Sequence, residues 1–265
     1  MPFRLKFQKD VFGVFRKAWE KMRDYLLEIC CGSAEDAIQA AAGGAERAEL
    51  CSNLFQGGLT PTLGSFYAVR DRADIKINVM IRPREGGFCY TESEMSAAMH
   101  DAELFLEAGA DGLVCGFLNA DGSIDGRKTR ALVELAGDVP VTFHRAFDVV
   151  PDWKEALDQL ADLGVSRVLS SGQSPNVLLA LDRIREMIAY AGERLIIMPG
   201  AGITPETADK VYAETGCREM HVYFSRLQSD PSTLHNPAIH FGSALYPSET
   251  QYPVIDAEAI RRLNK

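Results

Sequence analysis

No apolar run in this chain approaches the roughly 20 residues that span a bilayer. No signal-peptide pattern opens it. The six cysteines, at 30, 31, 51, 89, 115 and 217, include no CxxC spacing. That scatter fits free thiols in a reducing compartment better than a disulfide framework. Positive charge is scarce: 28 Lys and Arg face 37 Asp and Glu, a net charge of -9. A general nucleic-acid binder carries a basic face, so none is expected here. A small anionic ligand stays open, because it needs only local positive charge. Together these absences make the cytoplasm the expected location.

What is present is ordinary for a globular protein: 265 residues, 46% hydrophobic and 25% charged. That is ample chain for a large core. Barrels of alternating strands and helices often use this length as one domain. Residues 1–24 stand apart, with Lys and Arg in excess. Phe12, Phe15, Trp19, Met22 and Leu26 recur at amphipathic-helix spacing. Three readings fit this extension. It is a membrane-surface or partner-docking helix, a cover for the bottom of the domain, or sequence ahead of a true start at Met22.

From Tyr25 a rhythm sets in. Apolar, strand-forming runs fall at 25–30, 47–51, 75–81, 111–115, 139–143, 167–169, 194–198 and 219–224. Helical stretches follow at 33–43, 63–72, 91–108, 125–136, 153–163 and 176–191. The next opens at Thr204 with Pro205 at its first position, and the last spans 256–263. A polar loop rich in Pro and Ser is expected up to about Val254. Eight strand–helix units predict a (β/α)8 TIM-type barrel as a single domain over residues 25–265. An open doubly wound sheet is the alternative. It would usually carry a Gly-rich nucleotide fingerprint at its first turn, and Cys31-Gly32-Ser33 is not one.

A barrel carries its functional residues at the C-terminal ends of its strands. Those ends read Glu28 and Cys30, Glu49 and Cys51, Arg82 and Arg84, Gly116, His144 and Arg145, Ser170-Ser171-Gly172, Gly200 and Gly202, and His221. The opposite loops carry turn residues such as Gly43-Gly44 and Gly109-Ala110. This imbalance marks the C-terminal mouth as a ligand site. Residues two apart on a strand share a face. Glu28 with Cys30, Glu49 with Cys51, and Thr142 with His144 are therefore expected to point inward. Adjacent strands about 5 Å apart would bring two carboxylates and two thiols together. A buried carboxylate needs a partner. Arg82 and Arg84 are the expected ones, in a substrate clamp or in a purely structural Glu–Arg network. Gly200-Ala201-Gly202 ahead of a helix suits phosphate, with Ser225-Arg226 completing the cradle; such turns also occur for geometry alone. The stretch 141–148 ends in His144, Arg145 and Asp148. It is either the rim of an active site, with Arg145 facing away, or a buried histidine, a surface arginine and a helix cap.

Several of these segments together resemble the CutC family of copper-homeostasis proteins. They are Glu28-Ile29-Cys30, 43–52, Gly57-Gly58-Leu59-Thr60-Pro61, Met80-Ile81-Arg82-Pro83-Arg84, Asp111-Gly112, 141–148, Ser171-Gly172 and Met198-Pro199-Gly200, within roughly residues 25–225. The resemblance implies a TIM-type barrel, a cytoplasmic location and a role in copper handling. It also implies that Cys30 and Cys51 match cysteines proposed to bind Cu(I). Val222-Tyr223-Phe224-Ser225-Arg226 and the stretch from Gln228 to Pro253 depart from the family pattern.

Cu(I) is soft and suits thiolates. The charged residues point another way as well. Arg82, Arg84, Ser171, Gly200, Gly202 and His221 would bind a small anionic metabolite, phosphorylated or carboxylated. Glu28 or Glu49 would act as general base and His144 as acid. On that alternative the chain is a lyase, isomerase or hydrolase. A non-catalytic binding barrel is a third reading, and a homo-oligomer is compatible with all three.

Overall fold

Leu26–Cys31 forms the first strand, β1, because its apolar side chains alternate with Glu28 and Cys30 along an extended backbone. Ser33 then stops the strand. Its side chain accepts from the Asp36 N–H and caps helix α1, Ala34–Gly43. Gly44 ends α1 at φ 88°, a left-handed conformation that costs glycine little.

The unit repeats through the computed structural model, which describes residues 23–236, 238–239 and 251–264. The strands are β2 Arg47–Leu50, β3 Lys76–Met80, β4 Gly112–Cys115, β5 Val141–Phe143, β6 Arg167–Ser170, β7 Ile196–Pro199 and β8 Glu219–Val222. Between them run α2 Leu63–Arg70, α3 Glu92–Glu107, α4 Gly126–Ala136, α5 Trp153–Asp162, α6 Leu181–Ala191 and α7 Ala208–Thr215. The eight strands are parallel and ordered β7-β6-β5-β4-β3-β2-β1-β8. Gly200, just past β7, lies against His221 of β8, so the sheet curls into a nearly closed (β/α)8 barrel.

Outward-facing Leu27, Ile29, Ala48, Leu50, Ile77, Val79, Leu113 and Phe143 pack with the helices into one apolar layer. Inside the barrel a smaller cluster forms from Cys51, Met80 and Val114, with Cys30 and Leu54 against it.

Two expectations change. The helix expected at Thr204 begins at Ala208, because the Thr207 hydroxyl accepts the Thr204 N–H at 2.8 Å and tightens that stretch into a turn. The polar loop after β8 contains an antiparallel ribbon, β9 Ser225–Ser229 with β10 Gln251–Ile255, before α8, Ala257–Arg262. Asp36 ties the ribbon down, accepting from the Ile255 N–H at 2.9 Å. The readings of the 1–24 extension fall mostly outside the described residues. Arg23 is described, and it is buried, donating to Glu46, Asn264 and the Gly44 carbonyl at the base of the barrel.

Candidate functional site

Strand parity separates the two neighbouring cysteines. Cys31 joins the apolar layer under the helices, whereas Glu28 and Cys30 face the interior. On β2 the same alternation turns Arg47, Glu49 and then Cys51 inward. Register aligns Glu28 with both Arg47 and His221, and Cys30 with Glu49. The interior is thus stacked in levels, a hard ionic one below and a softer one above.

The lower level is built around Glu28, which is fully buried. Its Oε2 accepts from Arg47 Nε and from Asn78 Nδ2 at 3.1 Å, and its Oε1 from His221 Nδ1 at 2.7 Å. Arg47 also donates to Glu219, which Arg167 meets from β6 at 2.8 Å. A ladder of alternating charge, His221–Glu28–Arg47–Glu219–Arg167, crosses the barrel. Burial pushes the Glu28 carboxyl up, but Arg47 and His221 outweigh it and hold it at about 2.

The upper level holds the thiols. Cys51 Sγ lies 3.5 Å from Glu49 Oε2, and His221 Nε2 lies 3.8 Å from the same oxygen. Donor atoms of Cys30, Glu49 and Cys51 fall within 4.8 Å of one another, as do those of Glu28, Glu49 and His221. Glu49 Oε1 is buried with no protein partner among the described residues. Cys30 is half-buried and opens the group to the mouth.

The contact with Cys51 pulls the Cys30 thiol down to about 5, against burial and helped by His221. The same contact, with burial, drives Cys51 well above the usual thiol range. Burial, reinforced by Cys30 and Glu28, lifts Glu49 to about 8 despite His221. Burial disfavours charge on His221, but Glu49 and the hydrogen bonds to Cys30 and Glu28 win and hold its pKa well up. Near neutrality the group is a Cys30 thiolate, a Glu28 carboxylate and a His221 imidazolium, with protons retained on Cys51 and Glu49.

Arg82 and Arg84 are not the partners of these carboxylates. Arg82 sits beyond the end of β3, and its guanidinium donates to the carbonyls of Gln56, Gly58 and Gly86, bracing two loops. Arg84 pairs with Glu94 at the start of α3 and with three further loop carbonyls. His144 joins the Arg82 side of the mouth. Its Nδ1 accepts from the Ala146 N–H at 3.1 Å, so the proton sits on Nε2, which is buried without a protein partner among the described residues. The ring packs 5.0 Å from Phe88 and fills the space a side chain at Gly116 would need. Burial, then the Arg82 cation, hold its pKa down at about 3, and it stays neutral.

Asp148 is the centre of a separate brace. It accepts from Ser170 Oγ, from the Ser171 N–H and hydroxyl, from the Gln173 N–H and from Arg145. Arg145 therefore faces away from the interior. Ser171 is buried in this brace, its hydroxyl committed to Asp148, Ser174 and Arg145, and it does not reach the mouth. Gly200 and Gly202 serve close packing against Leu169, His221 and Asn176. No helix start backs them, and Arg226 points along the ribbon to Gln228. The expected phosphate cradle is not assembled.

The model of the CutC family matches residues 25–225. The chain belongs to the CutC family. A CutC family protein of Treponema denticola is 43% identical over 92% of this chain and 99% of its own length. A protein of Homo sapiens named copper homeostasis protein cutC homolog is 39% identical over 91% of this chain and 88% of its own. The solved structure of a protein named for copper homeostasis and CutC, from Streptococcus agalactiae, is 33% identical. It superposes with a TM-score of 0.71 over 75% of this chain and 98% of that one.

In this CutC-family barrel, Arg47, Asn78, Arg167 and Glu219 complete the site from below, and none of them stands out in the sequence. The signal that finds them is parity carried two residues further down each strand: 49 to 47, 80 to 78, 169 to 167 and 221 to 219.

Proposed function

We propose that this CutC-family protein binds Cu(I) in the cytoplasm as part of copper homeostasis, with Cys30 and Cys51 as its thiolate ligands. The reading rests on one observation: the two sulfurs lie within 4.8 Å of each other at a half-buried mouth. Two metal–thiolate bonds of roughly 2.3 Å span about 4.6 Å, and soft sulfur favours Cu(I). Register supports a metal over a disulfide. Cys31 pairs with Leu50, which offsets Cys30 from Cys51 by two residues and sets their Cα atoms about 8 Å apart. A disulfide closes only below about 7 Å. The ion here is cargo, taken up as Cys51 releases its proton.

The test is anaerobic Cu(I) titration against a chromophoric competitor. One tight equivalent per chain is expected, lost in Cys30→Ser/Cys51→Ser. Unchanged affinity in the double variant refutes the assignment.

Two buried atoms without partners among the described residues, Glu49 Oε1 and His144 Nε2, favour a second reading, an enzyme acting on a small anionic metabolite. Glu49, protonated up to about pH 8, would be its general acid. A thermal-shift panel of metabolites, with and without Cu(I), tests it. Turnover that disappears in Glu49→Gln supports it, and stabilisation without turnover sinks it in favour of a binding barrel.

A further inference from the structure

The ribbon beyond β8 has two edges, and the chain protects only one of them. The Asp256 N–H donates to the Phe224 carbonyl at 2.9 Å, which makes these two residues a hydrogen-bonded pair. Bonded and non-bonded pairs alternate along an antiparallel ladder. Arg226 with Val254 and Gln228 with Tyr252 are therefore the next bonded pairs, and Ser225, Leu227 and Ser229 turn their main-chain groups outward. The same parity turns Pro253 and Ile255 outward on β10. Pro253 has no N–H to offer, and the Ile255 N–H is taken by Asp36 at 2.9 Å. The β10 edge is thus closed. β9 carries no proline, is largely exposed, and its outward N–H groups have no partner among the described residues.

An open strand edge is a template for another strand. We infer that β9 pairs antiparallel with β9 of a second copy of this chain, about a twofold axis through Leu227, joining two ribbons into one four-stranded sheet. The inference uses none of the interior residues read as the copper site. β9 begins at residue 225, where the CutC family match ends.

Self-complementarity selects a second copy as the occupant. Ser225-Arg226-Leu227-Gln228-Ser229 is nearly symmetric about its centre. Set antiparallel against itself, Leu227 meets Leu227, Ser225 meets Ser229 and Arg226 meets Gln228. The residues with outward main-chain groups then fall opposite one another. Each such pair exchanges two hydrogen bonds, about six in all. Leu227, 64% exposed in one copy, packs on its counterpart. Charge complements as well. Arg226 donates to Gln228 of its own chain at 3.1 Å, and in the pair it lies opposite Gln228 and diagonal to Asp230 of the second copy. Five residues a side make a small interface, of the weak class below about 1,200 Å2, so the dimer is expected at high protein concentration.

The experiment is sedimentation velocity on the full, reduced chain over a concentration series. The parent should pass from monomer to dimer as concentration rises. Leu227→Pro removes only an outward N–H, so it should keep the ribbon and weaken association about tenfold or more, through two lost hydrogen bonds per dimer. Leu227→Lys should do the same by placing two charges on the axis. Circular dichroism checks that both fold, and if Leu227→Pro does not, Leu227→Lys and cross-linking decide. Cross-linking reads the register. In a Cys89→Ser background treated with oxidised glutathione, Leu227→Cys should form a disulfide-linked dimer, because its Cα atoms would stand about 5.5 Å apart across the axis. Ser229→Cys should cross-link only when mixed with Ser225→Cys. A parent that stays monomeric throughout overturns the inference and leaves the edge to an extended peptide of another protein. A dimer that persists undiminished in the folded Leu227 variants, or Ser229→Cys cross-linking to itself in place of Leu227→Cys, overturns it too.

Discussion

Replacing Arg47 with methionine keeps most of the side chain's bulk and removes its charge from the middle of the barrel. Glu28 and Glu219 both lose a cation. Glu219 keeps Arg167 and Glu28 keeps His221, but Glu28 is the more deeply buried of the two, so most of the damage falls on it. Its carboxyl sits at about 2 against an ordinary 4.5, a gap worth about 3 kcal/mol of folding stability at neutral pH. Stranding one partner of a buried ion pair costs about 3–5 kcal/mol. The two routes agree, and the loss is a large share of the ~5–15 kcal/mol that holds a typical domain together.

Urea denaturation followed by circular dichroism at pH 7 should therefore show Arg47→Met about 3–5 kcal/mol less stable than the parent. The pH dependence has a definite sign. The folded pKa of Glu28 is depressed, so its stabilisation is fully present above pH 4.5 and is lost as pH falls toward 2. In Arg47→Met that part of the acid slope should flatten. Adding Glu28→Gln removes the stranded charge, so the double variant should lose clearly less than the sum of the singles. A single-variant loss below about 1 kcal/mol, or additivity within about 0.5 kcal/mol, would refute the ladder as the organising element of the interior.

Three further outcomes follow from the same geometry. His144 titrates near 3 in the fold against an ordinary 6.5, so the native state loses stability as pH falls from 6.5 toward 3. His144→Asn should flatten the melting temperature across pH 4–6.5, and an unchanged slope would count against a buried neutral ring. Alkylation of Cys30, followed by mass spectrometry, should reach its plateau with a midpoint near pH 5. Cys51→Ala should move that midpoint upward, and no movement would remove Cys51 as the main cause. A Cβ at Gly116 would stand 2.1 Å from His144 Cε1, so Gly116→Ala should cost about 1–3 kcal/mol by overpacking. A loss under about 0.5 kcal/mol in urea denaturation would mean that the ring is not wedged there.

The barrel is legible because its punctuation is local. Ser33, Thr91, Asp125 and Asp256 each accept a backbone N–H at the start of the helix they were expected to open. Inward pairs such as Glu28 with Cys30 follow from strand parity, which is also local. What is not legible is which residues share a level, because that depends on register between strands. Arg47 opens β2 and looks like a charge at a strand's edge. Only its alignment with Glu28, and that of Glu28 with His221, makes it the central cation. Arg82 and Arg84 directly follow the third strand in the sequence but lie beyond its end in space, where loop carbonyls claim them. Thr204-Pro205 carries good helix-start chemistry, yet the Thr207 hydroxyl takes the Thr204 N–H first. The ribbon stayed hidden because Ser225–Ser229 is largely exposed and lacks an apolar face.

The division into levels also decides which changes report on binding and which report on folding. β1 contributes Glu28 to the lower level and Cys30 to the upper one, two residues apart on one face. β8 contributes Glu219 and His221 to the lower level, and His221 Nε2 reaches up to Glu49. The lower residues neutralise one another and leave few lone pairs unused, so removing one strands a buried charge. The upper residues include Glu49 Oε1, without a partner among the described residues, and Cys30 open to the mouth, so trimming a thiol there strands nothing. Cys30→Ser and Cys51→Ser should fold with stabilities close to the parent, while Arg47 variants should not. A protein whose binding groups rest on a separately satisfied ionic floor can exchange its cargo without loosening its core.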